Sequence, residues 1–588
     1  MEKPTRENGI LWPLLRRSAP RYLIGLVMLF VVDYVNLFIP QLTGEVTDGL
    51  AAHTMDAQAV LIAAGKIVLC GTLVAAGRFG WRWFIFGSAR RVERSMRNQM
   101  FEKLETLSQR YYNVHKTGDL MSYFTNDLEA VRVAIGPEVV SAFDSTVLTL
   151  LVLWRMFTRV SVKLTLLTLI PMAVIAVGGY FFFELVEKRF SEMQRAFSKL
   201  SDHVQETISG ERVLKAFVQE EREKEAFRAV NEAKRQTTLR VVRLEAAFLP
   251  LLEFVVGVTY VIAIVYGGRL TMTGAMTLGK FVEFNAYIGS LVWPMIALGD
   301  SVTYISQGVA SLKRIHAVFD ERPDIADEDE LDDVTALGGE ITLDRVSFAH
   351  RPGEADALRD LTLKIPKGET LAVMGRTGAG KSTLVNLLCR AYDIDSGSIC
   401  FDGHDIRRIP LHVLRENIAY VPQDNFLFSD TLRHNLAFGR PEAGEGEIVA
   451  GAKDADLHDD VVNFPEGYDT VVGERGVTLS GGQKQRSSIA RALLKDAPVL
   501  ILDDALSAVD TDTEERILAN LKRVRAGKTT VMIAHRVSTV QNADHILVLE
   551  QGRMAEYGTR EELMAIPGGV FRTMAEKQQL ERQLQLEE

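Results

Sequence analysis

The stretch TLAVMGRTGAGKST, Thr370 to Thr383, decides the fold of the second half of this 588-residue chain. An apolar run predicts a buried strand, a glycine-rich turn then fits GxxxxGKS/T from Gly375 to Ser382, and a helix follows. Glycines let backbone N–H groups point inward around phosphate oxygens, and the N-terminus of the helix adds positive potential. Strand, loop and helix in this order predict a nucleotide-phosphate site in an α/β domain.

The residues of this loop have separate predicted roles toward ATP and Mg²⁺, the two expected cofactors. Lys381 would reach the terminal phosphates, and Ser382 would place its hydroxyl on the Mg²⁺ ion. A glycine loop formed by chance is the alternative, but the strand before it and the helix after it argue against that. The other predicted ATP contacts in the loop are Gly375, Arg376, Thr377, Gly378, Ala379, Gly380 and Thr383.

A second stretch, LILDDALSAVD from Leu500 to Asp510, ends an apolar run with two adjacent carboxylates. Like charges this close repel each other and lose solvation if they are buried, so a cation or a reacting proton is expected beside them. We expect Asp503 to hold the magnesium shell and Asp504 to polarise the attacking water. For Asp504, a helix cap is the alternative role.

The sequence around these motifs predicts the domain organisation. Strands and helices alternate with glycine turns throughout 340–588, which predicts an α/β domain with a largely parallel central sheet. The acid-dense stretch Asp320 to Asp333 predicts a solvated linker within 320–339; a specific acidic docking segment is the less favoured interpretation. The net charge of −10 argues against a nucleic-acid partner. Three cysteines lack metal-ligand spacing and are expected to pack without forming disulfides: Cys70, Cys389 and Cys400.

Six apolar segments in the first half are each long enough to cross a bilayer of ~30 Å. The chain is therefore predicted to fuse a membrane α-helical domain, residues 1–319, to the α/β domain. The first segment lacks a small-residue cleavage site, so it is expected to remain as an anchor. The six segments are Tyr22–Pro40, Val60–Phe86, Val139–Phe157, Leu164–Phe183, Ala247–Tyr266 and Leu278–Leu298.

Basic residues near the segment ends predict the orientation. The segment Gln41 to Gln58, after the first span, contains no Lys or Arg. The short connection Arg155 to Lys163 is predicted to be external although it is basic, which is an exception to the rule that basic connections are cytoplasmic. We expect the N-terminus and the α/β domain to be cytoplasmic, because the basic residues gather before the first span. These are Lys3, Arg6, Arg16, Arg17 and Arg21.

The long polar segments 88–137 and 184–244 have helical spacing. Gly210 is the one break in the second of them. We expect the membrane helices to continue into the cytoplasm and reach the α/β domain, with surface helices in a loop as the alternative. The apolar positions that recur in the first segment are Val92, Met96, Met100, Leu104 and Leu107.

The stretch LSGGQKQR, Leu479 to Arg486, resembles the signature motif of ATP-binding-cassette (ABC) ATPases and is far more specific than the phosphate loop alone. Six membrane segments ahead of one such domain resemble an exporter half-transporter, and the resemblance covers essentially the whole chain. It implies two such subunits, with two ATP molecules held between the phosphate loop of one and the signature of the other. The residues implied to bind the partner-site ATP are Leu479, Ser480, Gly481, Gly482 and Gln483.

Other positions match this family one by one. Gln423 in YVPQDNFLF matches the glutamine that senses magnesium and faces the membrane domain. His535 in MIAHR matches the switch histidine at the γ-phosphate, although alone it would be read as an ordinary strand-end histidine. Ser507 to Asp510 match the D-loop, the turn that crosses to the other site. GERG, Gly473 to Gly476, matches the exporter contact to the cytoplasmic helices, and short coupling helices are expected near 118–126 and 209–217.

Two positions depart from the family pattern. His350 in VSFAH replaces the usual tyrosine that stacks on adenine; imidazole can still stack with a smaller face, or another aromatic ring takes that role. Asp504 replaces the catalytic glutamate, and a side chain one methylene shorter draws the carboxylate back by roughly 1.5 Å. Because a general base must lie within ~3 Å of its water and contributes ~10²–10⁴ in rate, this site is expected to bind ATP but to hydrolyse it slowly.

The resemblance then predicts the weak-site half of a heterodimeric multidrug exporter in the bacterial plasma membrane, moving small amphipathic compounds. A homodimeric lipid or peptide exporter in which Asp504 suffices is the first alternative, and an ATP-gated regulator or channel is the second. Expected partners are a second half-transporter, membrane lipid and a small-molecule cargo. Glu253 and Glu283 lie deepest in their apolar runs and are candidate contacts for an organic cation; pairing with a basic residue is the alternative.

Overall fold

The computed structural model describes residues 9–327, 331–351, 353–473 and 479–587. The chain forms two compact units. The helical unit comprises Met1–Glu105 and Lys116–Glu321, and the α/β unit comprises Thr106–His115 and Arg322–Glu588.

The first part of the chain consists of long helices joined by short connections. The helices are α1 (Leu11–Asn36), α2 (Phe38–Ala51), α3 (Ala57–Glu105), α4 (Gln109–Val114, within the α/β unit), α5 (Thr117–Ser122), α6 (Leu128–Ile135), α7 (Pro137–Arg155), α8 (Val162–Ser209), α9 (Glu211–Ala216), α10 (Glu220–Ile262), α11 (Gly268–Met272) and α12 (Leu278–Asp320), with π-helical turns at Tyr123–Asp127, Met156–Val160 and Ala263–Gly267. Four helices run far beyond bilayer length: α3 has 49 residues, α8 has 48, and α10 and α12 have 43 each. This confirms that the membrane helices continue into the predicted cytoplasmic segments, with Gly210 ending α8.

Five helical stretches of the described chain are long and apolar enough to cross a membrane. The predicted fourth span, Leu164–Phe183, begins in the shorter apolar segment Val162–Val174 at the start of α8. The count of six spans therefore stays a prediction. The five stretches are Leu11–Ala51, Ala57–Glu105, Thr117–Val160, Glu220–Met272 and Leu278–Asp320.

The apolar period in the cytoplasmic part of α3 forms a buried face. Val92, Met96 and Met100 are each at most 2% exposed, and they pack with apolar side chains of α1, α6 and α12. Residues three and four positions apart lie on one side of a helix, so this stripe fixes which side of α3 faces inward. The spacing in the sequence correctly predicts both the helix and its buried face.

Two basic side chains at the connection between α7 and α8 have partners inside the helical unit. Arg159 lies 3.7 Å from Glu45 and 3.8 Å from Glu283. Arg155 is 7% exposed. Its guanidinium lies 5.1–5.7 Å from the ring centroids of Tyr34, Phe38 and Trp154. These two charges are therefore paired or covered by aromatic rings inside the helical unit.

The α/β unit contains a six-stranded and a four-stranded sheet. The strands are β1 (Ile341–Phe348), β2 (Leu358–Ile365), β3 (Thr370–Gly375), β4 (Ser396–Phe401), β5 (His404–Asp405), β6 (Ile418–Val421), β7 (Val499–Asp503), β8 (Thr529–Ile533), β9 (His545–Glu550) and β10 (Arg553–Gly558). The larger sheet has the order β10-β9-β3-β8-β7-β6, parallel from β9 to β6, with β10 antiparallel at its edge. The smaller sheet, β2-β1-β4-β5, is antiparallel. The predicted α/β fold with a largely parallel central sheet is confirmed.

Helices cover the parallel sheet, so its central strands are buried along their length. The helices are α13 (Lys381–Leu388), α14 (Leu411–Glu416), α15 (Leu432–Ala437), α16 (Glu445–Asp454), α17 (His458–Val462), α18 (Gly481–Lys495), α19 (Thr511–Val524), α20 (Arg560–Ala565) and α21 (Val570–Glu587). Every residue of β7 and β8 is buried, as expected for strands covered on both faces. The three cysteines are unpaired, as their spacing predicts.

The acidic segment after α12 leaves Asp324, Asp327 and Asp333 exposed, and two of its carboxylates also bind groups of the α/β unit; its role as a linker stays a prediction. Asp332 lies 2.8 Å from Nδ1 of His404 and 3.1 Å from Arg408. Asp327 accepts a hydrogen bond from the backbone N–H of Leu411 at 2.8 Å. Two carboxylates of this acidic segment therefore have binding partners that come from distant parts of the sequence.

The segment that carries α4 belongs to the α/β unit. Asn113 donates from Nδ2 to the hydroxyl of Tyr392 at 2.9 Å, and Ser108 donates to Asp324 at 3.0 Å. A short helix, α5, lies in the region 118–126 where the first coupling helix is expected, and its role stays a prediction. The second expected coupling helix is present as α9, and what it docks against stays a prediction.

Candidate nucleotide site

The phosphate loop between β3 and α13 has backbone geometry that requires glycine. Gly375, Gly378 and Gly380 have φ values of +147°, +81° and +100°. A Cβ atom on Gly380 would lie 2.6 Å from the carbonyl oxygen of Ala357, and one on Gly375 would lie 2.3 Å from that of Leu549. Positive φ values and close packing therefore require glycine at these positions. The resulting bend leaves the first N–H groups of α13 at the mouth of the loop.

Lys381 begins α13 and turns back over the loop. It is 7% exposed, and its Nζ donates to the carbonyl oxygens of Gly375 at 2.8 Å and Arg376 at 3.1 Å. Burial lowers the pKa of the Lys381 ammonium, while the carboxylates of Asp504 and Asp503 act in the opposite direction. The cation therefore lies between the loop and the two aspartates, where a phosphate group would meet it.

Ser382 and Asp503 form the contact that joins the loop to the end of β7. The hydroxyl of Ser382 donates to Oδ1 of Asp503 at 3.2 Å, and Asp503 is 4% exposed. Burial raises the pKa of Asp503, and the neighbouring charge of Asp504 raises it further. A hydroxyl and a buried, destabilised carboxylate side by side are oxygen donors of the kind that Mg²⁺ prefers, so the residues fit this ion.

The described residues contain no group of three or more His, Cys, Asp or Glu side chains that could hold a metal ion. A Mg²⁺ ion has six near-octahedral ligands and usually keeps waters and phosphate oxygens among them.

Asp504 and His535 are brought together at the carboxyl ends of β7 and β8. Asp503 pairs with Ile533 in the parallel register, and Asp504, Ser507 and His535 line one cavity. Asp504 has φ +50°, a conformation that non-glycine residues adopt at some cost, with Asp among the more tolerant. The backbone turn thus fixes the direction in which its short carboxylate leaves the strand.

Gln423 lies in the loop after β6, on the same edge of the sheet, and its side chain is exposed. The order β3-β8-β7-β6 therefore brings four features to one edge of the sheet. These are the phosphate loop, the loop after β8 that carries His535 (the histidine loop), the two aspartates and this glutamine. Ligands of open parallel sheets bind at this carboxyl edge.

The signature residues start α18 as a capped helix. Ser480 accepts through Oγ from the N–H of Gln483 at 3.2 Å, and Gln483 accepts through Oε1 from the N–H of Ser480 at 3.0 Å. This reciprocal capping box fixes Gly481 and Gly482 at the helix N-terminus, and Leu479 before them is 8% exposed. The helix end presents N–H groups and positive potential, which suits an anion.

Gln485, two positions beyond the signature glutamine, is a supporting residue that the sequence did not reveal. Its Nε2 donates to Oγ of Ser507 at 3.1 Å, and its Oε1 accepts from the N–H of Ala508 at 2.9 Å. Asp510 ends the same turn and caps α19 by accepting from the N–H of Thr513 at 3.0 Å. The D-loop is thus tied to the signature helix. Of the GERG stretch, residues 474–476 lie outside the described residues.

His350 follows β1 and stands beside the first turn of α13. Its Nε2 lies 3.2 Å from Oγ1 of Thr383, and its exposed ring meets Tyr392 edge-on with centroids 5.7 Å apart. Tyr392 itself is 8% exposed and accepts from Asn113. Of these two rings, His350 is the one whose face is open next to the phosphate loop.

The two candidate cargo residues differ in their surroundings. Glu253 is exposed on α10. Glu283 is 4% exposed near the start of α12, accepts from the hydroxyl of Tyr287 at 2.9 Å and lies 3.8 Å from Arg159. Glu283 is therefore paired with a basic residue, which is the expected alternative to a cargo contact.

Comparison with known proteins agrees with this organisation. The family described as "ABC transporter transmembrane region" matches residues 22–295, and the family described as "ABC transporter" matches residues 358–507. The chain is 38% identical over 560 residues to the "Probable multidrug resistance ABC transporter ATP-binding/permease protein YheI" of Bacillus subtilis (strain 168), covering 95% of each chain.

A second relative, the "ATP-dependent lipid A-core flippase" of Syntrophus aciditrophicus (strain SB), is 35% identical over 562 residues, 95% of this chain and 92% of its own. The solved "Structure of a bacterial Atm1-family ABC exporter with ATP bound" superposes with a TM-score of 0.77 at 28% identity, covering 96% of this chain and 98% of that one. The chain therefore belongs to the ABC transporter family, as an exporter half-transporter of the membrane whose cytoplasmic ATP-binding domain couples ATPase activity to transport.

Proposed function

We propose that this chain is the weakly hydrolysing half of a heterodimeric multidrug exporter that moves small amphipathic compounds across the bacterial plasma membrane. The observation that carries the proposal is Asp504, a short carboxylate at the end of β7, where the family pattern has a glutamate. Apart from His350, the other nucleotide-site motifs match the family pattern. A subunit that binds ATP but hydrolyses it slowly would keep its ATP-binding residues and lack an effective general base.

The phosphate loop would bind ATP through the N–H groups at the start of α13. Lys381 is positioned to exchange its two loop carbonyl partners for phosphate oxygens, and the His350 ring would stack on adenine beside Thr383. Ser382 and Asp503 would hold Mg²⁺, with Gln423 approaching from the next strand end. When bound, Mg²⁺ neutralises charge on the β- and γ-phosphates.

The general base is where this site falls short. Asp504 leaves β7 with φ +50°, and its carboxylate would end roughly 1.5 Å short of the place that a glutamate carboxylate would reach. A base that misses hydrogen-bond reach of the water forfeits most of a ~10²–10⁴ contribution. ATP would then stay bound on this chain's loop through several turnovers of the other site.

The signature of this chain is intact and is the part that would serve the partner. Its capped helix end presents Ser480, Gly481 and Gly482 toward an anion, while Gln485 fixes the adjoining D-loop. In the dimer this surface would close over the γ-phosphate of the partner's ATP. This chain would thus supply half of the site that hydrolyses.

Transport would follow from the closing of the two ATP-binding domains. The long helices α3, α8 and α10 are continuous from the apolar segments into their cytoplasmic parts. A continuous helix transmits a displacement along its length, so domain closure would turn an inward-open cavity outward. Hydrolysis at the competent site would reset it.

A homodimeric lipid exporter is the second candidate function. It is favoured by the similarity to the protein named as a lipid A-core flippase. In that case Asp504 would be a working base in two equal sites. The two candidates differ in what happens when this carboxylate is removed.

Asp504→Asn is expected to change the ATPase rate of the purified complex less than about tenfold, because the site contributes little turnover. Replacing the partner's corresponding glutamate by glutamine should reduce turnover by about 10² or more. Ser480→Arg in this chain should be as damaging as that change, since its signature would close the partner's site. Steady-state phosphate release measures all three. A dimer of this chain alone that hydrolyses ATP at normal rates, and loses this with Asp504→Asn, would contradict the proposal.

His350→Ala is expected to weaken ATP binding by about 1 kcal/mol or more through loss of stacking, whereas His350→Tyr should hold or tighten it. Equilibrium binding of ATP to the complex under non-hydrolysing conditions provides the measurement. His412→Ala, an exposed histidine on α14, is the matched control and should bind normally. An unchanged affinity in His350→Ala would assign adenine stacking to another ring.

Glu253→Gln is expected to reduce transport of cationic dyes severalfold and to spare neutral ones, because an exposed carboxylate in an apolar helix can attract an organic cation. Glu283→Gln is the matched control. It alters a buried, paired carboxylate, so any loss should fall equally on both classes of dye. ATP-dependent uptake of the dyes into inverted vesicles measures the ratio. If Glu253→Gln lowers both classes alike, or neither, Glu253 is not a cation contact.

A further inference from the structure

The loop that carries His535 is held by the C-terminal helix α21. Gln578 on this helix donates from Nε2 to the carbonyl oxygen of His535 at 2.7 Å. Its Oε1 accepts from the backbone N–H of Val537 at 2.8 Å. A carbonyl needs a donor and an N–H needs an acceptor, so one orientation of the amide satisfies both groups. The side chain thus clamps the peptide on both sides of Arg536.

Packing of α21 fixes where Gln578 stands. Phe571 is fully buried, and Met574 packs against the same apolar cluster, which includes residues on both sides of the histidine loop. Phe571, Met574 and Gln578 follow one another at three and four positions and so lie on one face of the helix. Glu556 fixes the start of the helix by accepting from the N–H groups of Val570 and Phe571 at 2.6 and 2.9 Å.

A second clamp holds the same loop from the other direction. Glu514 on α19 is 2% exposed and accepts from Arg536 at 2.7 Å and from the hydroxyl of Thr539. The side chain of His535, in contrast, is exposed and lines the cavity that contains Asp504. The loop thus has a fixed backbone and an imidazole that is open to a ligand, which is the arrangement of a preorganised contact.

We propose that Gln578 is a positioning residue for the nucleotide site, which makes the C-terminal helix part of that site's support. By fixing the backbone of residues 535–537, it sets the place from which the His535 imidazole reaches the γ-phosphate. This inference rests on the proposed role of His535 at that phosphate. Without the clamp the loop keeps its Glu514 contacts but loses the hydrogen bonds on its α21 side.

Photolabelling of this chain by 8-azido-ATP, titrated on the purified complex, tests the role. Gln578→Ala is expected to raise the half-saturating concentration about three- to tenfold, the usual effect of losing hydrogen bonds that position a contact. Gln579→Ala makes the same change at the exposed neighbouring position and should match the wild type. The half-saturating concentration, unlike the amount of label, does not move when a variant merely yields less folded protein.

Hydrogen exchange at the Val537 amide reports on the clamp itself, since this N–H donates to Gln578. Its protection should fall in Gln578→Ala and hold in Gln579→Ala. His535→Ala separates this inference from the proposed function. If His535→Ala weakens labelling and Gln578→Ala does not, the positioning role is wrong and the proposed site stands. If His535→Ala also leaves labelling unchanged, His535 does not meet the nucleotide and both assignments fail.

Discussion

The parallel register of β3, β8, β7 and β6 is the constraint on which the nucleotide site depends. Hydrogen bonding aligns Val373 with Ile533 and Ile533 with Asp503, so neighbouring strands end at one edge. The residues that follow each strand are far apart in the sequence but adjacent in space. The hydrogen bond from Ser382 to Asp503 is a direct result, and a shift of one residue in this register would remove it.

Burial shifts the pKa values of two charged groups at this edge of the sheet. Burial lowers the pKa of Lys381 and raises the pKa of Asp503. The charge of each group acts against the effect of burial on the other group. Taking both groups out of water is costly, and a site that is made of such groups gains most when phosphate and a divalent ion meet them together.

Motifs with a local mechanism could be predicted from the sequence, and long-range partners could not. The glycines of the phosphate loop, the buried stripe of α3 and the alternation of strands and helices each follow from residues close together in the chain. The docking of Asp332 onto His404 and Arg408, and the pairing of Glu283 with Arg159, depend on residues that the fold brings together. The amides of Gln485 and Gln578 are of the same kind, since a lone glutamine gives no sign of the backbone it will bind.

We propose that this chain works beside a different subunit. Native mass spectrometry of the complex, purified through a tag on this chain from membranes of its own host at natural expression levels, tests that claim most directly. We expect a one-to-one assembly with a second half-transporter that has glutamate at the position corresponding to Asp504 and an altered signature motif. An assembly of two copies of this chain, with no second subunit, would contradict it.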